Sequence, residues 1–494
     1  MKQTLHLNRT LECASRNART VLAGVLALLT FAQFACLSSP NRVPNLQQIF
    51  APARERHGKR PIIVIPGILG SELVHQKSGE LAWPAIFKTT ARGLRLPMSP
   101  DLEANRDELR PGKIIERLSF ARILPEVYVY RGLLDALRLY GGYKEGNWET
   151  PAIDGDKDTF YVFPYDWRRD NVESARELVR RIESLKQKLN RPDLRFNIVA
   201  HSMGGLIARY AAMYGDAGLP ADGTLPSPTW AGAKHILRIV MLGVPNEGSM
   251  DVFATILRGY SLTEGLRPRL RLFSTLSREV AFSCPSVYQL LPHAHSTHFV
   301  DENLQSLSID LYDPANWRKY DWLQAAPRDS GERLSSNNGD SAEGDESVDR
   351  YLTEVLRRAR RFHEALDALG KETPVAFFSF AGDCEQTLDA PVIVRDQKNN
   401  RWLTLTEPRD FRTTAGKTIS RKDAIAAMYL PGDGRVTRRS VLAQDLAGDR
   451  EGQLFDSGLP MAYAMFGCDL HGSLPNNKIL QDNALTALVS EIVK

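Results

Sequence analysis

The sequence FNIVAHSMGGLIARYAA, at residues 196–212, is the most informative part of the chain for its fold. Its first five residues are mostly apolar, which is typical of a strand buried on both faces, and its second half carries apolar residues at helical spacing. Between the two lies a turn of small and polar residues, HSMGG, at positions 201–205. A buried strand that passes through such a turn into a helix predicts that Ser202 stands above the edge of a sheet.

This turn fits the nucleophile elbow, in which a serine sits on a sharp strand-to-helix turn. The elbow needs small residues two positions on either side of the serine, and Ala200 and Gly204 meet that need. Gly205 lets the helix approach the sheet closely. The N–H groups at the start of the helix favour developing negative charge beside the hydroxyl. The five-residue pattern alone is common by chance, so the strand and the helix around it carry the prediction.

Apolar strands of the same kind recur along the chain, at residues 62–65, 159–168, 236–245 and 374–383. Helical patterns lie between them, most clearly at residues 172–189, where charges fill the positions that the apolar residues leave. Strands buried on both faces that alternate with helices predict an α/β fold with a mostly parallel sheet between helix layers.

Two connections are too long for simple turns, at about residues 74–158 and 246–372, and we expect both to be cap or lid insertions over the sheet edge. Within the second, residues 328–350 are rich in serine, glycine and acidic residues, which predicts a flexible acidic surface loop. We expect one domain, residues 59–494, to contain both insertions.

The N-terminus differs in kind from the rest of the chain. Four basic residues precede an apolar run at residues 21–37: Lys2, Arg9, Arg16 and Arg19. This pattern predicts a signal peptide or membrane anchor at residues 1–37, followed by a linker at residues 38–58. Three fates stay open, namely a lipid anchor at Cys36, cleavage nearby, or a retained membrane span. Each predicts an exported protein of the periplasm or the cell-envelope membrane.

The composition excludes one class of partner. Of 494 residues 43% are hydrophobic, which allows a large core, and the net charge is only +4. No basic stripe with interleaved aromatic residues suggests a nucleic-acid surface, so we expect no nucleic-acid partner.

The cysteines that follow Cys36 are Cys284, Cys384 and Cys468, which allow at most one disulfide. No elbow surrounds Cys468, and we expect it to be a packed residue.

A serine on an elbow needs a base and an acid, which follow it in the order serine, acid, histidine. Asp433 lies in a Gly-Asp-Gly turn, and Asp383, at the end of an apolar strand, is the alternative acid. His471 is the only histidine after Asp433, so a triad in this order would have His471 as its base by elimination. His201 is adjacent to the serine on a tight turn, so we expect its ring to point away from the Ser202 hydroxyl and not to serve as the base.

Acyl transfer also needs two donors for the oxyanion, and the N–H of Met203, after the serine, is one of them. The other is expected from the loop PGILGS, at the Ile68 N–H. The histidines at positions 293, 295 and 298 lack the spacing of metal ligands. A serine mechanism requires no metal, so we expect neither a metal nor a cofactor.

Six motifs resemble, in order, those of the lecithin:cholesterol acyltransferase family, and the resemblance spans most of residues 60–490. They are IIVIPGILGSEL (62–73), LAWP (81–84), YDWR (165–168), AHSMGG (200–205), GVPNEGS (243–249) and GDGRV (432–436). The resemblance implies an α/β-hydrolase fold with a catalytic set at these positions: Ser202, Asp433 and His471, with the Ile68 and Met203 N–H groups as the oxyanion hole. It also implies that Trp83 lies against the scissile lipid, whereas Trp83 taken by itself is equally typical of a core tryptophan. We interpret Asp166 and Arg168 as bracing the end of their strand.

The chain departs from the family in three places. The sequence GSLPNN after His471 differs from the eukaryotic members, the paired cysteines of the vertebrate lid have no clear counterpart near residues 74–100, and the acidic insertion is unmatched.

The motifs and the resemblance together predict a serine acyltransferase or lipase that acts on lipid esters, at a membrane surface, through an acyl-enzyme. The acyl group passes to an alcohol or to water, and the same residues serve both outcomes. Two alternatives are a carboxylesterase for non-lipid esters and a catalytically silent lipid-binding surface protein. The sequence does not indicate an oligomeric state.

Overall fold

The computed structural model describes residues 43–84, 91–118, 127–220, 222–261, 275–293, 296–323, 341–368, 373–447 and 457–490. The predicted signal or anchor, with Cys36, lies outside these residues, as does His295. The chain divides into a unit of residues 1–45 and a unit of residues 46–494, and the second contains all the elements described below.

Seven strands form the central sheet. They are β1 Ile62–Ile65, β2 Lys144–Glu145, β3 Thr159–Val162, β4 Phe196–His201, β5 Ile236–Leu242, β6 Ala376–Gly382 and β7 Met461–Gly467. Their order across the sheet is β7-β6-β5-β4-β1-β3-β2, and every pairing is parallel. The predicted α/β fold with a parallel sheet is therefore confirmed.

The helices cover both faces of this sheet. Those of eight or more residues in the described ranges are α1 Asn171–Lys188, α2 Met203–Tyr214, α3 Met250–Arg258, α4 Ser341–Asp367, α5 Arg421–Met428 and α6 Lys478–Val489. All six residues of β4 are buried: Ile198 and Ala200 pack with α1 and α2, whereas Val199 packs with α6 on the opposite face. This two-sided burial explains the continuous apolar pattern of the central strands.

Both predicted long connections lie between strands of the central sheet. The first holds a three-stranded sheet, Ser71–His75, Leu81–Trp83 and Leu109–Ile114, and the short helix Arg131–Asp135. The second holds α3, α4 and the short helices Arg278–Ser283, Pro285–Tyr288 and Pro314–Lys319. Both therefore place secondary structure outside the central sheet.

A third insertion, between β6 and β7, was not predicted. It contains α5, the antiparallel pair Glu385–Leu388 and Tyr429–Gly432, and the antiparallel pair Val392–Asp396 and Arg401–Leu405. Tyr429–Gly432 ends directly before Asp433, so this insertion delivers the candidate acid.

Two predictions about loops are wrong in part. Residues 341–350 belong to α4, because apolar residues continue at helical spacing into Tyr351 and Leu352, which are fully buried. The first part of the predicted acidic loop, residues 328–340, lies outside the described residues. The predicted linker contains the helices Leu46–Ile49 and Ala51–Glu55, and its Leu46 and Phe50 are only 3% and 4% exposed.

Among the helices in the described ranges, none combines the length and the apolar character that a membrane span needs.

Candidate active site

Ser202 occupies the turn between β4 and α2, at the carboxyl edge of the sheet. Its backbone angles are φ 52° and ψ −128°, and its residue surface is 5% exposed. A Cβ on Gly204 would lie 2.5 Å from the Pro66 carbonyl oxygen, and one on Gly205 would lie 2.1 Å from a methyl group of Val244. The turn therefore requires the glycines that the elbow pattern supplies.

His471 joins Ser202 to Asp433. The His471 Nε2 lies 2.9 Å from the Ser202 Oγ, and the His471 Nδ1 lies 2.8 Å from the Asp433 Oδ2. A carboxylate accepts hydrogen bonds, so the Nδ1–H donates to Asp433 and the Nε2 lone pair faces the serine hydroxyl. The structure brings the predicted serine, acid and base together in one hydrogen-bonded line.

The carboxylate of Asp433 is held from its other side by backbone. Asp433 is fully buried, and its Oδ1 accepts the N–H groups of Arg435 at 3.0 Å and Val436 at 2.8 Å. The alternative acid, Asp383, instead accepts a hydrogen bond from Arg438 at 2.9 Å. Of the two candidates, only Asp433 reaches His471 in the described structure.

The loop after β1 faces the elbow with the predicted second oxyanion donor. Within the described part of the chain, the N–H groups of Ile68 and Met203 have no protein acceptor. The preceding Gly67 N–H donates to the Tyr130 hydroxyl at 2.8 Å, and a Cβ on Gly67 would lie 2.8 Å from the Ser202 Cβ. The loop thus packs directly on the elbow and leaves two donors beside it.

Trp83 does not occupy the position that the resemblance implied. Its side chain is fully buried, its Nε1–H donates to the Leu69 carbonyl at 3.0 Å, and its ring meets Trp167 edge to face at 5.6 Å. Trp83 therefore supports the oxyanion loop through its bond to Leu69, and it does not line the cavity described next.

A cavity of about 160 Å³ opens at Ser202 and His471. All three insertions contribute to its wall, which is mostly apolar: Val129 comes from the first, Val252 and Leu290 from the second, and Val436 from the third. One ion pair, between the Arg435 Nη1 and the Asp251 Oδ2 at 2.5 Å, also borders the cavity. The shape suits an apolar chain whose polar end reaches the serine.

Sequence reasoning missed Tyr130 and the structural role of His201. The His201 Nδ1 lies 2.8 Å from the Tyr130 hydroxyl, and its Nε2 lies 3.1 Å from the His471 carbonyl oxygen. Burial, with a smaller contribution from His471, lowers the pKa of His201 to about 3. The ring points away from the Ser202 hydroxyl as expected, but nothing in the sequence connects it to Tyr130.

The structure pairs Cys384 with Cys468 in a disulfide, so the prediction that Cys468 is a simple packed residue is wrong. The bridge joins the residues that follow β6 and β7. Cys284 is free and buried, and burial raises the pKa of its thiol to about 12. A thiol held in this protonated form is unsuited to nucleophilic attack.

The described residues contain no group of three or more histidine, cysteine or acidic side chains arranged to hold a metal ion. His293 pairs with Asp367 at 2.8 Å and His298 with Asp389 at 3.2 Å.

Arg168 braces the end of its strand, as predicted. It is fully buried and donates to both Asp166 oxygens and to the Leu94 carbonyl.

The parallel sheet and the strand-to-helix elbow define the α/β-hydrolase fold. Residues 153–330 match the model of the lecithin:cholesterol acyltransferase family, and the resemblance is confirmed over these residues, which hold three of the six motifs. No curated protein matches the chain significantly.

Three solved structures show the range of similar chains. A chain of the Tle4–Tli4 complex has 15% identity and a TM-score of 0.47, over 87% of this chain and 98% of that one. The mature form of the Bacillus licheniformis lipase BlEst2 has 11% identity and a TM-score of 0.30, over 88% and 93%. EstA from Clostridium botulinum has 12% identity and a TM-score of 0.30, over 87% and 88%.

Proposed function

We propose that the protein is a serine acyltransferase or lipase that acts on lipid esters. The observation that carries this proposal is the line Ser202–His471–Asp433, which ends at an apolar cavity. The family match over residues 153–330 supports a lipid-ester substrate.

In the first half-reaction the Ser202 Oγ attacks the ester carbonyl carbon while its proton passes to the His471 Nε2. The Ile68 and Met203 N–H groups stabilise the oxyanion, and loss of one such donor typically costs about 3–4 kcal/mol of transition-state stabilisation. His471 then returns the proton to the leaving alcohol, which leaves an acyl-serine.

In the second half-reaction His471 takes a proton from the acceptor, either an alcohol or water, which attacks the acyl carbon. The bond between this carbon and the Ser202 Oγ then breaks, and His471 gives its proton to the Oγ. Asp433 keeps the imidazole in the tautomer that both steps use. The apolar wall of the cavity favours binding of an acyl chain.

The test incubates the full-length protein with vesicles of labelled phospholipid, with and without a sterol or long-chain alcohol, and identifies products by mass. Ser202→Ala is compared with Ser286→Ala, which removes another buried serine hydroxyl, bonded to the Trp167 carbonyl. New acyl esters that depend on Ser202 support the transferase form, and free fatty acid alone supports the lipase form. Activity on soluble esters only would instead indicate a carboxylesterase. Equal activity of wild type and Ser202→Ala would contradict the proposal.

We also propose export of the protein, with the N-terminal segment as the signal. The disulfide Cys384–Cys468 supports an oxidising compartment, because such bonds are rare in the cytosol. Mass analysis of the N-terminus from cells that express wild type or Cys36→Ala distinguishes a lipid on Cys36 from cleavage nearby or a retained segment. Recovery of the protein in the cytosol alone would contradict export.

A further inference from the structure

A continuous chain of hydrogen bonds connects the oxyanion loop, the elbow and the turn that carries the base. It runs from the Gly67 N–H to the Tyr130 hydroxyl at 2.8 Å, from Tyr130 to the His201 Nδ1 at 2.8 Å, and from the His201 Nε2 to the His471 carbonyl at 3.1 Å. Tyr130 is 2% exposed and His201 is 7% exposed, so water competes little for these bonds.

Only one proton arrangement fits this chain. The His471 carbonyl oxygen can only accept, so the His201 Nε2 carries the proton and donates it. Burial keeps the His201 ring neutral, as its depressed pKa of about 3 indicates, so Nδ1 is an acceptor. The Tyr130 O–H must therefore donate to Nδ1, which leaves the tyrosine oxygen to accept the Gly67 N–H.

The backbone around Tyr130 is also fastened to the turn that begins with His471. The Asn476 side chain accepts the Gly132 N–H at 2.8 Å and donates to the Val129 carbonyl at 3.0 Å. His471 itself is held at both backbone groups, because its N–H donates to the Asp433 carbonyl at 2.8 Å. The Tyr130 segment, residues 129–132, therefore contacts all three parts of the candidate site.

We propose that Tyr130 and His201 are positioning residues, which hold the oxyanion loop in register with Ser202 and His471. Gly67 precedes Ile68, so the bond from the Gly67 N–H to Tyr130 restricts the orientation of the next peptide, whose N–H is the proposed second oxyanion donor. The inference rests on the proposed function, and neither residue exchanges protons with the substrate.

The first test is Tyr130→Phe, which removes one hydroxyl and keeps the ring. We expect kcat for a p-nitrophenyl ester to fall by about tenfold or more, less than the about 100-fold typical when an oxyanion donor is deleted. We expect KM to change by less than about twofold, since the apolar wall is unchanged. The acid limb of the pH–rate profile should keep its midpoint, because His471 and Asp433 remain in contact.

The matched control is Tyr161→Phe. Its hydroxyl is equally an internal donor, to the Gly155 carbonyl at 2.8 Å, but it does not touch the chain of bonds. The inhibition constant of an alkyl boronic acid, which forms a tetrahedral adduct on Ser202, gives a readout that a general loss of stability does not move. In Tyr130→Phe this inhibition constant should rise by the same factor by which kcat/KM falls. In Tyr161→Phe it should stay unchanged.

Two histidine variants separate the Tyr130–His201 bond from the His201–His471 bond. His201→Asn keeps an acceptor near the Nδ1 position and loses the donor to His471, whereas His201→Gln keeps a donor near Nε2 and loses the acceptor for Tyr130. Combining Tyr130→Phe with His201→Gln should cost no more than the worse single change, because both break the same link. If Tyr130→Phe fails to fold, the two histidine variants carry the test.

The outcomes distinguish this inference from the proposed function. If wild type and Ser202→Ala react alike with esters, the proposed function fails. If wild type depends on Ser202 while Tyr130→Phe matches Tyr161→Phe in kcat and boronate affinity, only the positioning role is overturned.

Discussion

Ser202 shows how the fold prepares a side chain before any substrate binds. Its φ of 52° lies in a region that side-chain-bearing residues rarely occupy, at a typical cost of about 1–3 kcal/mol. Its N–H donates to the Leu242 carbonyl at 2.8 Å and its carbonyl accepts the Gly205 N–H at 2.9 Å, so both neighbours hold the strained turn. The backbone therefore sets the direction of the Ser202 Cα–Cβ bond.

The two candidate acids give a residue-scale prediction. Asp433→Asn should lower kcat by about 10⁴-fold, because an amide that donates toward His471 favours the wrong imidazole tautomer. Asp383→Asn should change kcat by less than about twofold, since Asp383 pairs with the exposed Arg438. Steady-state kinetics on one ester checks both. Comparable losses in the two variants would contradict the assignment of Asp433.

Continuous apolar patterns in the sequence predict those strands that are buried on both faces. The runs that became β1, β4, β5 and β6 were visible because both faces of each are covered. The edge strand β7 was missed, because its buried and exposed residues alternate irregularly and its last three residues are only half-buried. His471 was therefore found by chain order alone, without the strand that delivers it.

The disulfide gives an element-scale prediction. Cys384 and Cys468 are 84 residues apart and join the ends of β6 and β7, beside the segments that carry Asp433 and His471. Replacing both with serine should lower the free energy of unfolding by about 3–5 kcal/mol, because the unfolded chain regains the freedom of a long loop. Urea unfolding measures the change.

Reductant supplies the control for this bridge. It should destabilise wild type and leave the Cys384→Ser/Cys468→Ser variant unchanged. Cys284→Ser should keep the response to reductant, because Cys284 is free and buried. A wild type that is as stable reduced as oxidised would contradict the role of the bridge.

The candidate site combines strand ends with insertions that are far apart in sequence. The strand-end residues Ser202 and Ile68 could be predicted, because parallel strands place their carboxyl ends at one edge. The cavity wall could not, since Val129, Leu290 and Val436 meet only through tertiary packing. Trp83 shows the same limit: its motif was recognised, but its depth behind the loop depends on how the first insertion folds.

Buried neutral histidines make a whole-molecule prediction about acid stability. Burial lowers the pKa of His201 to about 3 and of His235 to about 4, and places the pKa of His363 well below its usual range. The unfolded chain takes up protons on these rings below about pH 6.5, whereas the folded protein does not. Above about pH 6.5 these rings therefore cost the folded protein no stability. Below that pH each ring lowers the free energy of unfolding by about 1.4 kcal/mol per pH unit, until the pH reaches the folded pKa of the ring.

This prediction is checked by urea unfolding at several pH values between 4.5 and 6.5. His201→Gln removes one of the rings, so the dependence of the free energy of unfolding on pH should weaken by about 1.4 kcal/mol per pH unit relative to wild type. Tyr161→Phe should keep the wild-type slope, because burial raises the pKa of its hydroxyl to about 12, far outside this range. Equal slopes in wild type and His201→Gln would mean that His201 takes up its proton in the folded state, and the single proton arrangement between Tyr130 and His471 would then be wrong.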